Sequence, residues 1–555
     1  MSLTGIQQDS WRRLSPRMLL VHPVRELARY VPALLGLIVA GRSVGEGELW
    51  WLGPLGVVVV IALSVLRWAT TRYRITPEQV QLRTGLLQRK TIAAPADRVR
   101  SVDVTASPLH RLLGLAKVDI GTGSAESAKG SGGGLSLDSL PAAEATALRA
   151  ELLHRSVLRT SDAQAGLSLQ EPDRMPSDAA PALVDRGVDY GVDRGVDFAV
   201  EDGATGSSDT ELARLDPAWV RFAPFTMSGV LAAAAILGVG WNLFDQLGVT
   251  PGDVGPVRGV LDHLRRTPIW LVVVQVLVAL ASLVTALSIG GYLLSYWGFR
   301  LTRHAQGSLH VTRGLLTTRA TSIEESRLRG VELGEPLLLR LVHAARLTGI
   351  STGLSTRGRA DGGSSLLLPP APLEVARAVG AQILRDAGPV EISLTAHGPA
   401  ARRRRFLRAL LPAFVLVLAA GVTVWSGASP WLGFLAVPTI PVAVMLAADR
   451  YRSLGHALSG GALVTRQGSL GRRRDVLECD GIIGWNLRQT YFQRRAGLVT
   501  LTATTAAGRQ AYAVTDVPLP LALALGNRAL PGLLGDFLEP DDAEVRLLAD
   551  PRAGA

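Results

Sequence analysis

Three stretches of this chain repeat one another at fixed offsets, and each follows a long apolar segment. The first reads Arg83-Thr-Gly-Leu-Leu87, then Asp97-Arg-Val-Arg100, then His110-Arg-Leu-Leu-Gly-Leu115. The second reads Thr312-Arg-Gly-Leu-Leu316, Ser326-Arg-Leu-Arg329 and Leu339-Arg-Leu-Val342. A third, more worn, reads Thr465-Arg-Gln-Gly468, Asp480-Gly-Ile-Ile483 and Gln493-Arg-Arg-Ala-Gly-Leu498. Counted from the glycine, Gly85, Arg98 and Arg111 share their offsets with Gly314, Arg327 and Arg340, and with Gly468, Gly481 and Arg494. Internal repetition decides architecture before any single element does. The unit is an apolar hairpin followed by a domain, three times over.

Composition agrees with such a unit. A chain of 555 residues that is 48% hydrophobic and 19% charged is too unevenly apolar for an ordinary soluble enzyme and fits an integral membrane protein with large aqueous parts. The formal charge of +11 rests almost wholly on arginine, since Lys90, Lys117 and Lys129 are the only lysines. Arginines beside apolar spans set topology and meet anionic lipid, so nucleic acid is not expected as a partner. Cys479 stands alone, which excludes an intrachain disulfide and a multi-cysteine metal site. Met1 to Arg29 is arginine-rich without a small-residue cleavage site and is not read as a cleaved signal peptide.

After the apolar stretch Leu49 to Trp68, the pattern changes to the alternation of half-buried strands: Tyr73-Arg-Ile75, Val80-Gln-Leu82, Val99 to Val104, Lys117-Val-Asp-Ile120. Leu140 to Leu153 is rich in helix formers, with Pro141 and Glu144 at its start. The expected domain is antiparallel β closed by one C-terminal helix, and Pro372 to Leu384 and Leu519 to Leu530 supply the same helix in the later repeats. Residues 160–216 carry thirteen acidic residues against four arginines around a Val-Asp-x-Gly run, which has too little to bury and reads as a disordered linker. The division is an N-terminal segment 1–26, hairpin 27–68, domain 69–159, linker 160–216, hairpin 217–297 and domain 298–388. A basic linker 389–405, hairpin 406–448, divergent domain 449–535 and tail 536–555 follow. The fold class is thus an α+β membrane protein with six transmembrane helices in three hairpins.

Nineteen arginines flank the apolar segments on one side, while the short connections on the other carry Arg42, Arg258, Arg265 and Arg266. The positive-inside rule then places both termini and all three domains in the cytoplasm, on a multi-pass protein of the cell membrane.

No catalytic constellation stands out: the nine histidines are scattered, and no His-Glu-x-x-His, Gly-x-Ser-x-Gly or Walker-type loop occurs. No enzyme activity, catalytic residue, cofactor or metal site is expected. His304 and His310 flank a turn without a further ligand at metal spacing and read as a solvent-exposed pair. Cys479, on an apparent strand, reads as an inert thiol. The inner parts of all six apolar segments hold no ionisable residue, which argues against a proton- or ion-coupled transporter.

One cationic pattern repeats. Lys90, Arg98 and Arg100 match Arg319, Arg327 and Arg329, and if Arg98-Val-Arg100 and Arg327-Leu-Arg329 are strands, each arginine pair points to one face. Two readings stand: a solvated or salt-bridged strand face, or a set of contacts to anionic head groups, each cation adding about 1 kcal/mol toward an anionic leaflet. The third repeat has Arg473, Gly481 and Ile483 in these slots.

The hairpin followed by Arg83-Thr-Gly-Leu-Leu87, Arg98-Val-Arg-Ser-Val102 and Pro108-Leu-His-Arg-Leu-Leu-Gly-Leu115 closely resembles the bacterial pleckstrin-homology (PH) type 2 domain of YdbS/YdbT-like membrane proteins. The resemblance implies that each hairpin is followed by a PH-like antiparallel barrel or sandwich with a C-terminal capping helix. It brings no catalytic residues, and it links some members to envelope stress or antimicrobial-peptide resistance. Gly481 and Ile483 depart from the pattern and count against a ligand in the third domain. The expected function is a non-enzymatic scaffold binding lipid surfaces or other membrane proteins, including further copies of itself. The alternative is a permease-like or export component built from the hairpins.

Overall fold

The computed structural model describes residues 11–19, 62, 65, 66, 68–76, 79–85, 90–95, 99, 101–121, 135–149, 209–246, 259, 263, 266–305, 307–352, 365–427 and 429–533. They divide into two compact units, Met1–Glu211 with Val230–Glu324, and Leu212–Gly229 with Glu325–Ala555. The division falls inside the second repeat, between its third and fourth strands.

Each repeat contributes two groups of three antiparallel strands. In the first repeat these are β2 Arg72–Ile75, β3 Gln79–Thr84 and β4 Lys90–Pro95, then β5 Ser101–Ala106, β6 Leu115–Gly121 and β7 Leu135–Pro141. A short strand β1, Arg12–Arg13, pairs with β2, and Leu14 and Met18 behind it are buried. Part of the N-terminal segment therefore belongs to the first domain. The residues that alternate in sequence alternate in burial: Val80 and Leu82 from β3 face Val118, Ile120 and Leu137 from the second group, with Ala145 and Leu148 of helical residues 142–149 closing the core. Removing such apolar surface from water is the main favourable term.

The unexpected feature is where the edges go. After β8 Thr210–Arg214 come β9 Arg300–His304, β10 Ser308–Arg313 and β11 Thr318–Glu324, and β11 pairs antiparallel with β5 of the first repeat. One seven-stranded sheet results, in the order β7-β6-β5-β11-β10-β9-β8. In the other unit, β12 Leu328–Pro336, β13 Ala344–Ser351 and β14 Leu366–Pro372 join β15 Gly455–Ser459, β16 Ala462–Gln467 and β17 Gly471–Glu478 through β12 and β17. That sheet has the order β14-β13-β12-β17-β16-β15. The last strands, β18 Gly484–Arg488, β19 Leu498–Thr504 and β20 Ala511–Pro518, form their own sheet. Leu463 and Leu477 pack on Val499, Leu501, Val514 and helix Leu519–Ala529 in one core. Both shared sheets use one register: Arg319 stands opposite Thr105, and Arg473 opposite Gly334. Each time the fifth residue past a turn glycine meets the twentieth past the preceding one.

The repeated glycine is explained by its turn. Gly85, Gly314 and Gly468 have φ of 104°, 108° and 103°, and a Cβ on Gly314 would lie 2.1 Å from the carbonyl oxygen of Thr317. Only glycine adopts this geometry without strain.

Among the described residues three helices are long and apolar enough to cross a membrane: Ile269–Tyr296, Gly398–Trp425 and Trp431–Arg452. A fourth span results if Pro217–Phe225 and Met227–Asn242, bent by 58°, are one. Only 6%, 0% and 17% of the apolar windows of the first three are buried in protein, so their side chains need an apolar solvent. The last two pack on each other. The first expected hairpin lies almost wholly outside the described residues.

Two expectations are corrected. The end of the acidic linker is ordered: Thr210–Arg214 is a strand, and Asp216 caps the following turn, accepting from the Ala218 N–H at 2.8 Å. The second hairpin does not begin as an α-helix: Pro217–Phe225 is 3-10 and buries Trp219 and Phe222. Pro224, inside this turn, has no N–H to donate and its ring crowds the preceding turn, which an α-helix does not tolerate.

Candidate functional sites: two arginine-lined cavities

The first unit holds a cavity of about 500 Å³ at the end of the apolar helix Ile269–Tyr296. Its depth relative to that helix is fixed by backbone hydrogen bonds: Gly314 N–H donates to Trp297 C=O at 2.9 Å, and Leu315 N–H to Leu294 C=O at 3.0 Å. The turn carrying Leu315 and Leu316, both exposed, is thereby held beside the last turn of an exposed apolar helix. Trp297, also exposed, has the amphipathic ring favoured at membrane boundaries. Arg111, Arg300, Arg313 and Arg319 line the cavity, and no Asp or Glu is among its lining residues. Arg313 and Arg319 are directly opposite on β10 and β11, an arrangement of like charges that disfavours pairing unless an anion or another group offsets it. Arg313 lies over the Tyr296 ring, 5.5 Å from its centroid, and Arg111 donates to Leu315 C=O at 3.0 Å.

The second unit holds a cavity of about 450 Å³ where helix Gly398–Trp425 meets the third domain. Arg404, Arg405, Arg408, Arg473 and Arg488 line it, with Asp516 as the one acidic residue. Asp516 is fully buried and paired: Arg404 and Arg405 both reach it, the latter at 2.8 Å, and Gln493 Nε2 donates to it at 2.9 Å. Gln493 is fixed by a capping box with Thr490 at the start of the short helix Tyr491–Arg495. Behind it His397 Nδ1 donates to Thr515 C=O at 2.9 Å, leaving Nε2 to accept from His456 Nδ1 at 3.0 Å. Burial holds both imidazoles below their usual range, His456 at about 4. The apolar helix is thus tied at its start to the domain by polar contacts of His397, Arg404 and Arg405.

The sequence-derived cations fare differently. Arg319 enters the first cavity, and its counterpart Arg473 enters the second. Lys90 opens β4, and Arg98 and Arg100 lie outside the described residues. Arg327 and Arg329 do not form one strand face: Arg327 ends a 3-10 turn, Glu325–Arg327, and β12 begins after it. Arg329 instead packs on Gly481, where an added Cβ would come within 3.0 Å of it, and its charge lies near Glu478. Gly481 is therefore the small residue that admits the arginine of the preceding repeat. His304 and His310 are no solvated pair: His304 Nδ1 meets Asp209 at 2.6 Å, while His310 contacts Arg149 and is held to about 3 by burial and that charge. Cys479 sits on a 3-10 turn rather than a strand, and burial raises its thiol, the inert character expected. Arg300, Arg313, Arg404, Arg405, Arg408 and Arg488 were not singled out from sequence. The run Arg402 to Arg405 before an apolar stretch was the visible signal for two of the second cavity's cations, Arg404 and Arg405.

A family model described as a bacterial PH domain matches residues 24–156 and 406–530. Each match covers an apolar stretch and the strands after it, and the second falls on the repeat that keeps fewest of the recurring residues. No curated protein and no solved structure matches the chain.

Proposed function

We propose, from the two stretches that match the bacterial PH domain, that the chain is a membrane scaffold whose domains grip anionic phosphate-bearing head groups at the cytoplasmic face. The observation that carries this reading is the acid-free arginine cavity hydrogen-bonded to the end of an apolar helix. Guanidinium groups bind phosphate in bidentate geometry, and basic pockets beside spans suit head groups. The adjoining Leu315 and Leu316 would lie among acyl chains while the arginines meet phosphate. The linings offer guanidinium and hydroxyl groups that hold an anion, which supports binding rather than catalysis. The arginine distribution supports cytoplasmic termini, and the family resemblance supports a part in protecting the envelope.

The test is binding of short-chain, soluble phosphatidylglycerol and phosphatidylcholine to the full chain in neutral detergent, followed by thermophoresis. Arg300→Gln with Arg319→Gln is expected to weaken phosphatidylglycerol binding roughly tenfold or more, the loss of one or two charge-assisted hydrogen bonds, without changing the melting temperature. Equal binding of both lipids, or no effect of the double variant, sinks the reading.

A further inference from the structure

The same strand pairing is used twice along this chain, and among the described residues it leaves one unmatched strand edge in the first repeat and one in the third. At both internal junctions the fourth strand of one repeat pairs with the third strand of the next, in one register. The third strand of the first repeat, β4, and the fourth strand of the last, β18, are the corresponding strands with no such neighbour among the described residues. Each stands at the end of its sheet, with backbone N–H and C=O groups directed outward, which is a template for another strand.

A second feature of the junctions is also left open. Where one repeat meets the next, its short helix touches the following turn: Arg111 donates to Leu315 C=O at 3.0 Å, and Leu337 N–H to Leu470 C=O at 2.8 Å. In the last repeat the corresponding helix, Tyr491–Arg495, exposes Phe492 at 73%, whereas its counterparts Leu109 and Leu338 are half-buried. The uncovered aromatic lies in the third of the three described repeats.

We propose that β18 of one molecule pairs with β4 of a second copy, continuing the internal register into a head-to-tail assembly. The internal rule places Lys90 opposite Arg488 and Thr91 opposite Leu487. The contact is heterologous, so its repetition gives a ring or an open filament. Main-chain hydrogen bonds supply the pairing and alternate side chains its specificity, as in strand addition generally. The internal junctions set a cation against threonine or glycine, whereas this one sets Lys90 against Arg488. Like charges directly opposite disfavour pairing, so assembly is expected to strengthen as salt screens them.

The experiment uses the full chain in membranes, with Cys479→Ser as background. Two differently tagged chains, one with Thr91→Cys and one with Leu487→Cys, are co-expressed and oxidised. Opposed strand residues lie about 4.5–5.5 Å apart between Cα atoms, inside the disulfide range. A disulfide joining the two tags is expected, with a yield that rises with salt. Gly484→Cys in place of Leu487→Cys, three residues out of register, is expected to give none. A chain carrying both Thr91→Cys and Leu487→Cys should run as a ladder of multimers. A disulfide closed within single chains, equal yield from the out-of-register pair, or no disulfide at all overturns the proposal. Leu487→Pro tests the same edge without new thiols, and an unchanged oligomer mass would count against it equally.

Discussion

At the scale of single residues, the chain is controlled by a few positions that accept no alternative. Gly314 has φ of 108° and no room for a Cβ, so Gly314→Ala is expected to lower stability by about 2 kcal/mol or more, measured by thermal unfolding of the full chain. Asp516 is the buried anion on which Arg404, Arg405 and Gln493 converge. Removing it by Asp516→Ala leaves buried cations uncompensated, at a cost of about 3–5 kcal/mol. The His397 and His456 pair gives a pH signature. Burial sets their folded pKa below the unfolded value, so the unfolded chain takes up protons first as pH falls. The contribution of His456 to stability is complete above about pH 6.5 and is lost progressively as pH falls through about 4, with a slope of up to about 1.4 kcal/mol per pH unit, and His397 shifts in the same direction. A pH series of unfolding midpoints should show this loss, and His456→Gln should reduce it. Of these residues only Gly314 was legible in advance, through its recurrence, because an offset repeats in sequence whereas burial does not.

At the scale of elements, the junction of β12 and β17 shows how adjacent repeats are bonded. Glu332 and Asp475 are opposite on the two strands, and the Asp475 carboxyl is raised by burial. Arg509, from the loop between β19 and β20, reaches both, at 3.3 Å and 2.7 Å, which turns a repulsive pair into a bridged one. Arg509→Ala is therefore expected to destabilise the second unit by about 3–5 kcal/mol, seen as an early unfolding step in calorimetry, while Glu332→Gln in the same chain should recover part of the loss. Strand alternation and the capping helices were readable from the chain because burial on one face has period two and helix formers cluster. The ion network was not, since Arg509 lies far along the sequence from Glu332.

At the scale of the whole molecule, the sheets belong to pairs of repeats rather than to single ones. A fragment of residues 69–159 would leave the β5 edge without β11, with Val102 and Val104 on a bare strand. Such a fragment is expected to self-associate or precipitate, and sedimentation velocity would check this against the full chain in detergent. The two cavities also arise at this scale. The first draws Arg111 from one repeat and Arg300, Arg313 and Arg319 from the next, so no reading of one repeat alone could assemble it.

By itself the sequence determined the threefold unit, the glycine turns, the strand periodicity and the apolar segments, because each depends on neighbours within a few residues or on a repeated offset. It also marked Arg319 as a cation in a recurring slot. Only the tertiary structure decided that β11 and β17 join the preceding repeat, that Arg327 leaves the strand face, and that arginines more than a hundred residues apart share a cavity. Those outcomes depend on which strand edges find partners, and hydrogen-bonding groups at an edge are alike in every sequence until packing selects between them.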